Sequence, residues 1–510
     1  MGDATDDLLT CIAAGATWAD YGDKEAARAV LRAALKERAH SNMIDRVQVR
    51  ANLQNPDEKA AWAGYINAEN PTSGPYQGTS FVWFPSKGGG SVVVLVIGTQ
   101  GFGPDAHVLG SPGHRRRLRA LSRMHAGALW VKGDPLDLNA QVPEIVCGEW
   151  PRIDKAKKTY RSVIYAAVPF REGDEPRRVL DLLDLYLEDT GVHLVGKAKT
   201  AWSSRRSLML DRMFPRRDTD QLEALVRDRR FVILEGPPGT GKTRAAFREL
   251  APRFASSEMV QFHPARSYED FVIGLAPRVA GDQLAFEVRA GDLVRANQSA
   301  EQHGEHLLII DEINRGDLAR VLGEAIALFE VGAEPRTVRL AHAIPKQTAK
   351  PHQLRLHEKL FVIGTRNTAD RSIARLDLAI RRRFAFVQMW PSLGVVQQEQ
   401  QVKLEGSTGK AVTWDLAARC FQRTLQVFTE HADDDGLELI PGHAYFLDPH
   451  PNLAVEGRPA RVRSRLRHEL VPLLRDYVSE RLLGPATARV EELADWVEGE
   501  VEADERAAAV

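Results

Sequence analysis

Between Phe231 and Thr243 the chain reads FVILEGPPGTGKT, an apolar run followed by a glycine-rich loop, a lysine and a threonine. That order suits the cradling of phosphates. Gly236, Gly239 and Gly241 let backbone N–H groups turn inward around phosphate oxygens, Pro237, Pro238 and Thr240 complete the loop, and the helix that follows adds its positive dipole end. Lys242 is placed to reach the β and γ phosphates and Thr243 to hold Mg²⁺. A nucleoside triphosphate is the ligand this chemistry fits.

A second apolar run, HLLIIDE (His306–Glu312), ends in two carboxylates. Behind a phosphate loop, Asp311 is expected to bind Mg²⁺ through water and Glu312 to polarise an attacking water, because phosphoryl transfer depends on positioning, a base and charge neutralisation. A third run, KLFVIGT (Lys359–Thr365), leads into RNTADRS and then IARLDLAIRRRF. It would carry Asn367 to the carboxyl end of a sheet, where ligands of open α/β folds sit, and there Asn367 can orient the water facing the γ-phosphate. The blander alternatives are that Asn367 and Asp370 form a turn with Arg371 capping a helix, and that Arg381, Arg382 and Arg383 complement the dipole at a helix end.

These groups need a scaffold. At 510 residues the chain exceeds what one hydrophobic core organises, and 44% apolar with 27% charged residues is ordinary globular usage, so two or three folded domains are expected. Residues 218–391 alternate strands and helices in the manner of a parallel α/β sheet, 392–490 are mostly helical, and 491–510 form an acidic tail read as a solvated or frayed helix. Residues 1–195 read as a separate α+β domain, with a helix over KEAARAVLRAALKERA and a hairpin of TSFVWFP and SVVVLVIGT joined by SKGGG; residues 196–217 read as a basic linker. The start of the chain lacks the basic, then apolar pattern of a secretory signal, and VVVLVI (Val92–Ile97) is too short to span a bilayer, so a cytoplasmic location away from membranes is expected. Cys11, Cys147 and Cys420 are too scattered for a disulfide framework or a ligand cluster.

Four blocks together resemble the McrB family of AAA+ NTPases, the motor subunits of modification-dependent restriction systems: GPPGTGKT, VQFHPARSYEDFVIGLAP (Val260–Pro277), DEINRGDLARVLGEAIALFE (Asp311–Glu330) and GTRNTADRSIARLDLAIRRRF (Gly364–Phe384). PGHAYFL (Pro441–Leu447) and RHELVPLLRDYV (Arg467–Val478) resemble that family's helical lid. The resemblance implies an α/β AAA+ P-loop fold with a C-terminal lid, hydrolysis of ATP or GTP with Mg²⁺ (ATP slightly ahead), a ring-shaped homo-oligomer, a hexamer in the family, and a McrC-like nuclease partner in antiviral defence. It also implies that Asn367 and Asp370 serve water positioning and partner-stimulated hydrolysis, and that one of Arg381, Arg382 and Arg383 reaches a neighbour's nucleotide. One departure stands out, since Arg366 occupies the position of the family's usual methionine.

In such proteins the N-terminal position holds a module that recognises DNA, often a modified base. Here SPGHRRRLRALSRMHAGALW offers Arg115, Arg116, Arg117, Arg119 and Arg123 with no acid among them, a run that could neutralise phosphates or form a solvated helix face. Trp83, Phe84, Phe102 and Trp130 could stack on an extruded base or belong to the core. Neither an E-x-K triplet nor a histidine cluster suited to a metal nuclease is present, so the chain is not expected to cut DNA itself. Two further readings stand beside the motor: a MoxR-like chaperone that remodels a protein, and a DNA-binding adaptor that uses nucleotide as an assembly switch. SYEDFVIGLAP with RNTADRS favours the motor, and intact Glu312 and Asn367 argue against a silent switch.

Overall fold

The computed structural model describes residues 3–15, 24–52, 61–70, 78–86, 89–98, 109, 111–135, 137, 139–143, 160–216, 218–280, 283–330, 336–370, 378–400 and 415–508. They fall into two units, Met1–Met213 with Thr429–His431, and Phe214–Phe428 with Ala432–Val510.

In the first unit, helices α1 (Ala4–Ala14) and α2 (Lys24–Arg38) precede strands β1 (Val47–Asn52), β2 (Trp62–Asn67), β3 (Thr79–Pro85) and β4 (Ser91–Ile97). Helix α3 (Pro112–Met124), strands β5 (Trp130–Val131) and β6 (Ile164–Phe170), and helices α4 (Arg177–Asp189) and α5 (Gly196–Met213) follow. The strands pair antiparallel in the order β1-β2-β3-β4-β6-β5. The expected hairpin is β3 with β4, and both strands are buried along their whole length, which is why they read as continuous apolar runs rather than alternating ones.

The stretch expected to be a basic linker is mostly α5. Trp202 and Met209, 3% and 1% exposed, enter the same core as Leu183 and Phe81, so the first unit extends to Met213 rather than ending near 195. Two apolar anchors spaced two turns apart are enough to dock a helix whose other positions are largely basic or small.

The second unit opens with α6 (Thr219–Arg229), β7 (Phe231–Gly236) and α7 (Lys242–Arg244), whose helical path continues through wider turns to Leu250. Next come β8 (Ser256–Gln261), α8 (Tyr268–Phe271), a hairpin of β9 (Ile273–Ala280) and β10 (Gln283–Ala290), α9 (Asp292–His303), β11 (His306–Asp311) and α10 (Leu318–Leu322). After the short strands β12 (Val338–Arg339) and β13 (Gln353–Leu354) the chain returns through β14 (Leu360–Asn367), α11 (Leu378–Arg383) and β15 (Ala385–Gln388). The central sheet is wholly parallel, in the order β15-β7-β14-β11-β8. Because β7 connects to β8 at the far edge while its neighbours are β14 and β15, its carboxyl end opens on the crevice where such sheets bind ligands. One sheet face packs Ile233, Leu308, Ile310 and Val362, and the other packs Leu234, Ile309 and Ile363 against Ala245, Ala246 and Leu250.

The C-terminal part is helical, with α12 (Leu393–Gln400), α13 (Leu416–His431), α14 (Asp434–Leu437), α15 (Arg458–Arg465), α16 (Val471–Ser479) and α17 (Thr487–Ala508). The acidic tail is not a frayed end. It belongs to α17, which buries Val490, Leu493, Ala494, Val497 and Val501 as one stripe and pairs Asp504 with Arg463 at 2.6 Å and Glu505 with Arg467 at 2.7 Å. No helix among the described residues is long and apolar enough to cross a membrane.

Candidate active site

The phosphate loop runs from the end of β7 into α7. Gly236, Gly239 and Gly241 all have positive φ (151°, 75° and 80°), the backbone that only glycine adopts without strain and that the inward turning of N–H groups demands. Thr240 Oγ1 donates to Pro237 O at 2.9 Å, closing the turn. Lys242 Nζ folds onto the loop's own carbonyls, donating to Gly236 O at 2.9 Å and Pro237 O at 2.7 Å. Burial lowers its pKa to about 8, although the Glu312 and Asp311 carboxylates pull the other way.

Strand β11 delivers the two carboxylates beside this lysine. Asp311 Oδ1 accepts from Thr243 Oγ1 at 2.8 Å and from Thr365 Oγ1 at 2.6 Å, while Thr365 Oγ1 accepts the Glu312 N–H at 3.1 Å. A hydroxyl and a carboxylate in direct reach supply the hard oxygen donors that suit Mg²⁺. Glu312 has a left-handed backbone, φ 52° and ψ 46°, rare for a residue with a Cβ. Its Oε2 is buried and accepts no hydrogen bond from the described residues, and Arg315 Nε stands 3.4 Å away. Arg315 also lies 3.4 Å from Asp370 Oδ2, so one guanidinium spans the two acids.

Strand β14 places Asn367 opposite Gly236 in the ladder, next to the loop. Asn367 Oδ1 accepts the Ala369 N–H at 3.2 Å. Arg371 lies outside the described residues. Of the three arginines that close α11, Arg381 is exposed with its guanidinium 5.6 Å from the Phe386 ring centre, Arg382 is exposed, and Arg383 turns back to donate to Ala379 O at 2.9 Å. Arg381 and Arg382 are therefore the two that reach outward.

Several neighbours escaped sequence reasoning. Thr365 is 2% exposed and joins Asp311 to Glu312, yet a threonine inside a strand carries no motif signal. The segment after Ile440 lies along the loop: Gly442 N–H donates to Pro238 O at 2.8 Å and Ala444 N–H to Gly239 O at 2.9 Å. Contact is so close that a Cβ on Gly442 would come within 2.0 Å of the Gly239 carbonyl carbon. His443 follows, its pKa lowered to about 4 by burial and by the cations Arg244, Arg216 and Lys242, so it is neutral beside the loop. Finally, Arg366 pairs with Glu235 at 3.0 Å, each the other's register partner on β14 and β7.

In the first unit the basic run is helix α3, and its arginines divide by face. Arg117 is buried against Glu188 and Asp189 and is unable to contact a ligand. Arg115 and Arg116 are half-buried, with Arg115 Nε on Leu109 O, and Arg119 and Arg123 are exposed. Trp83 and Phe84 are core residues at 1% exposure, which removes them as stacking platforms, and Trp130 is half-buried. Phe102 lies outside the described residues.

Comparison with known proteins agrees with this geometry. Residues 231–384 match the AAA domain family of the dynein-related subfamily. The type IV methyl-directed restriction enzyme EcoKMcrB subunit of Escherichia coli (strain K12) is 37% identical over 177 residues, 32% of this chain and 36% of that protein. The type II restriction enzyme BsuMI component YdiS of Bacillus subtilis (strain 168) is 25% identical over 202 residues, 32% of this chain and 57% of that protein. The chain thus matches little more than a third of the first relative's length and just over half of the second's. With its glycine-rich loop, paired acids and Asn367 at the carboxyl ends of three adjacent parallel strands, the segment from Phe231 to Phe384 is an AAA domain, and the chain carries a McrB-like AAA+ NTPase core.

Proposed function

We propose that this protein is the nucleotide-hydrolysing motor of a McrBC-like restriction system, coupling ATP or GTP hydrolysis to DNA recognition or translocation and to activation of a separate nuclease. The observation that carries the reading is the convergence of Lys242 with Thr243, Asp311, Thr365 and Glu312 at the carboxyl ends of adjacent parallel strands, the last four joined by hydrogen bonds of 2.6 to 3.1 Å. On nucleotide arrival Lys242 leaves the Gly236 and Pro237 carbonyls for phosphate oxygens. Thr243 and Asp311 would hold Mg²⁺, which supplies charge neutralisation on the phosphates. Glu312, its Oε2 already buried beside Arg315, takes the proton of a water that Asn367 orients, and Arg381 or Arg382 of a neighbouring copy offsets charge developing on the γ-phosphate. The similarity to two restriction-system components supports the placement in such a system, with a McrC-like nuclease and DNA as partners and a ring of identical copies as the working form.

The test is turnover of ATP and of GTP by the purified chain, alone and with DNA and a McrC-like nuclease. Lys242→Ala should abolish nucleotide binding, because it removes the loop's cation, whereas Glu312→Gln should bind and not turn over. Undiminished turnover by Glu312→Gln would sink the site assignment. Turnover indifferent to both DNA and nuclease, yet raised by a protein substrate, would favour the MoxR-like chaperone instead.

A further inference from the structure

The position at which this chain departs from the McrB pattern is not an isolated change. Arg366 and Glu235 face each other across the β14–β7 ladder at 3.0 Å, their side chains 16% and 18% exposed. Gln388 is the partner of Glu235 on the other side, in β15, so Gln388, Glu235 and Arg366 form one polar row across three adjacent strands. From the helical part, Glu438 reaches this row and accepts from Gln388 Nε2 at 3.3 Å. Burial, with a smaller contribution from Glu235, raises the Glu438 pKa, while hydrogen bonds from Thr368 and Gln388 and the charge of Arg366 oppose the rise.

Side chains alternate along a strand, so this row and the residues on the rungs to either side of it occupy opposite faces of the sheet. Phe231, Ile233 and Glu235 share a face with Val362 and Arg366, whereas Leu234, Ile363, Thr365 and Asn367 share the other. Asn367 is the last residue of β14 and lies one rung beyond the ion pair, opposite Gly236. Strand ends open readily unless something holds them. Here the cross-strand charge pair closes the rung just before Asn367, and beyond Asn367 a backbone bond, Thr368 N–H to Gly236 O at 3.1 Å, holds the strand end.

We infer that the Glu235–Arg366 pair is a positioning element for hydrolysis: it fixes the end of the sensor strand against the phosphate-loop strand and thereby aims Asn367 at the γ-phosphate. Arg366 is bonded to Glu235 and acts through Asn367. The inference rests on the hydrolysis reading above. A buried ion pair tolerates joint removal better than loss of one member, since the survivor is left as an uncompensated charge. The two positions are therefore expected to vary together.

Four variants test this: Arg366→Met, Glu235→Gln, the double Glu235→Gln/Arg366→Met, and the swap Glu235→Arg/Arg366→Glu. Each single change should lower kcat, counted per folded molecule, by about tenfold or more while KM stays within about threefold, because aim and not nucleotide binding is lost. The double or the swap should recover most of that loss. If single variants melt earlier but keep full kcat per folded molecule, the pair is only a brace and the inference fails. It fails equally if the loss appears in KM alone, or if neither the double nor the swap restores turnover. Absence of ATP and GTP turnover in the unaltered protein would instead overturn the hydrolysis reading. The thermal-unfolding cycle over the same variants without nucleotide still judges the pair, since strictly additive shifts in Tm would show that the two side chains are not coupled and would overturn the inference.

Discussion

Thr365 donates its hydroxyl hydrogen to Asp311 Oδ1 at 2.6 Å and with the same oxygen accepts the Glu312 N–H at 3.1 Å, so one buried hydroxyl fixes both acids of the site. Thr365→Val keeps the shape and removes both bonds. Leaving these groups unsatisfied costs about 1–3 kcal/mol, and if even half of that falls on positioning, turnover drops roughly tenfold or less. Steady-state hydrolysis beside a binding isotherm measures it: kcat should fall with nucleotide affinity little changed, and a variant with unaltered kcat would show that the bridge does not matter.

Lys242 predicts two opposite responses to pH. Its pKa of about 8 lies below the ordinary 10.5, so between those values the unfolded chain binds more protons than the folded one, and this group adds stability to the nucleotide-free protein as pH rises through that window. Nucleotide affinity runs the other way, because only the protonated amine neutralises phosphate. Affinity should decline above about pH 8, and Lys242→Arg, which stays charged, should bind with a flatter pH profile. Fluorescent-nucleotide titrations across that range decide the matter; identical profiles for the two proteins would count against Lys242 as the titrating group.

Arg383 is bonded within its own helix, whereas Arg381 and Arg382 face outward. Turnover should therefore survive Arg383→Ala better than Arg381→Ala or Arg382→Ala, and an outward arginine acting between copies is worth roughly 10³ to 10⁵ in rate. Mixing the inactive outward-arginine variant with Glu312→Gln should restore part of the turnover, since some interfaces then combine an intact base with an intact arginine. A mixture that stays inactive although mixed assemblies form would place the arginine within its own subunit.

The first unit should fold as a fragment ending at residue 213 and not as one ending at 195. The shorter fragment loses Trp202 and Met209 from the core, and deletion of one large buried side chain alone costs about 3–5 kcal/mol. Circular dichroism melts of the two fragments are the check. If the longer fragment binds DNA, Arg119→Ala/Arg123→Ala should reduce the salt dependence of binding, because those two arginines are exposed. Arg117→Ala should instead lower Tm, since it takes a buried guanidinium away from Glu188 and Asp189 and leaves them only Arg206 and His114 as partners.

Motifs made the loop, the paired acids and the placement of the strand ending in Asn367 legible, because they depend on residue types at fixed local spacing. What stayed hidden depends on which strands become neighbours. Nothing local links Glu235 to Arg366, whose pairing exists only once β7 and β14 lie side by side in register. Thr365 escaped for the same reason. Helix α5 was obscured by its own surface, since its basic residues outnumber the apolar anchors that seat it. Arg117 was separable in principle: it falls on the helical face of Gly113, Ala120 and Leu121, all buried, whereas Arg119 and Arg123 lie a third of a turn or more away. A run of like residues invites one interpretation for all of them, and helical geometry assigns them different ones.

The bonds from Gly442 and Ala444 to the Pro238 and Gly239 carbonyls join main chain to main chain. Such a seam has no side chain to trim, so mutational scanning that shortens residues one at a time would pass over it and score the surrounding positions as permissive. Its vulnerability is to additions: any side chain at Gly442 would drive the two strands of backbone apart. The side chain of His443 can therefore be exchanged while the attachment on either side of it persists, leaving a fixed anchor on which the wall beside the loop can be re-tailored.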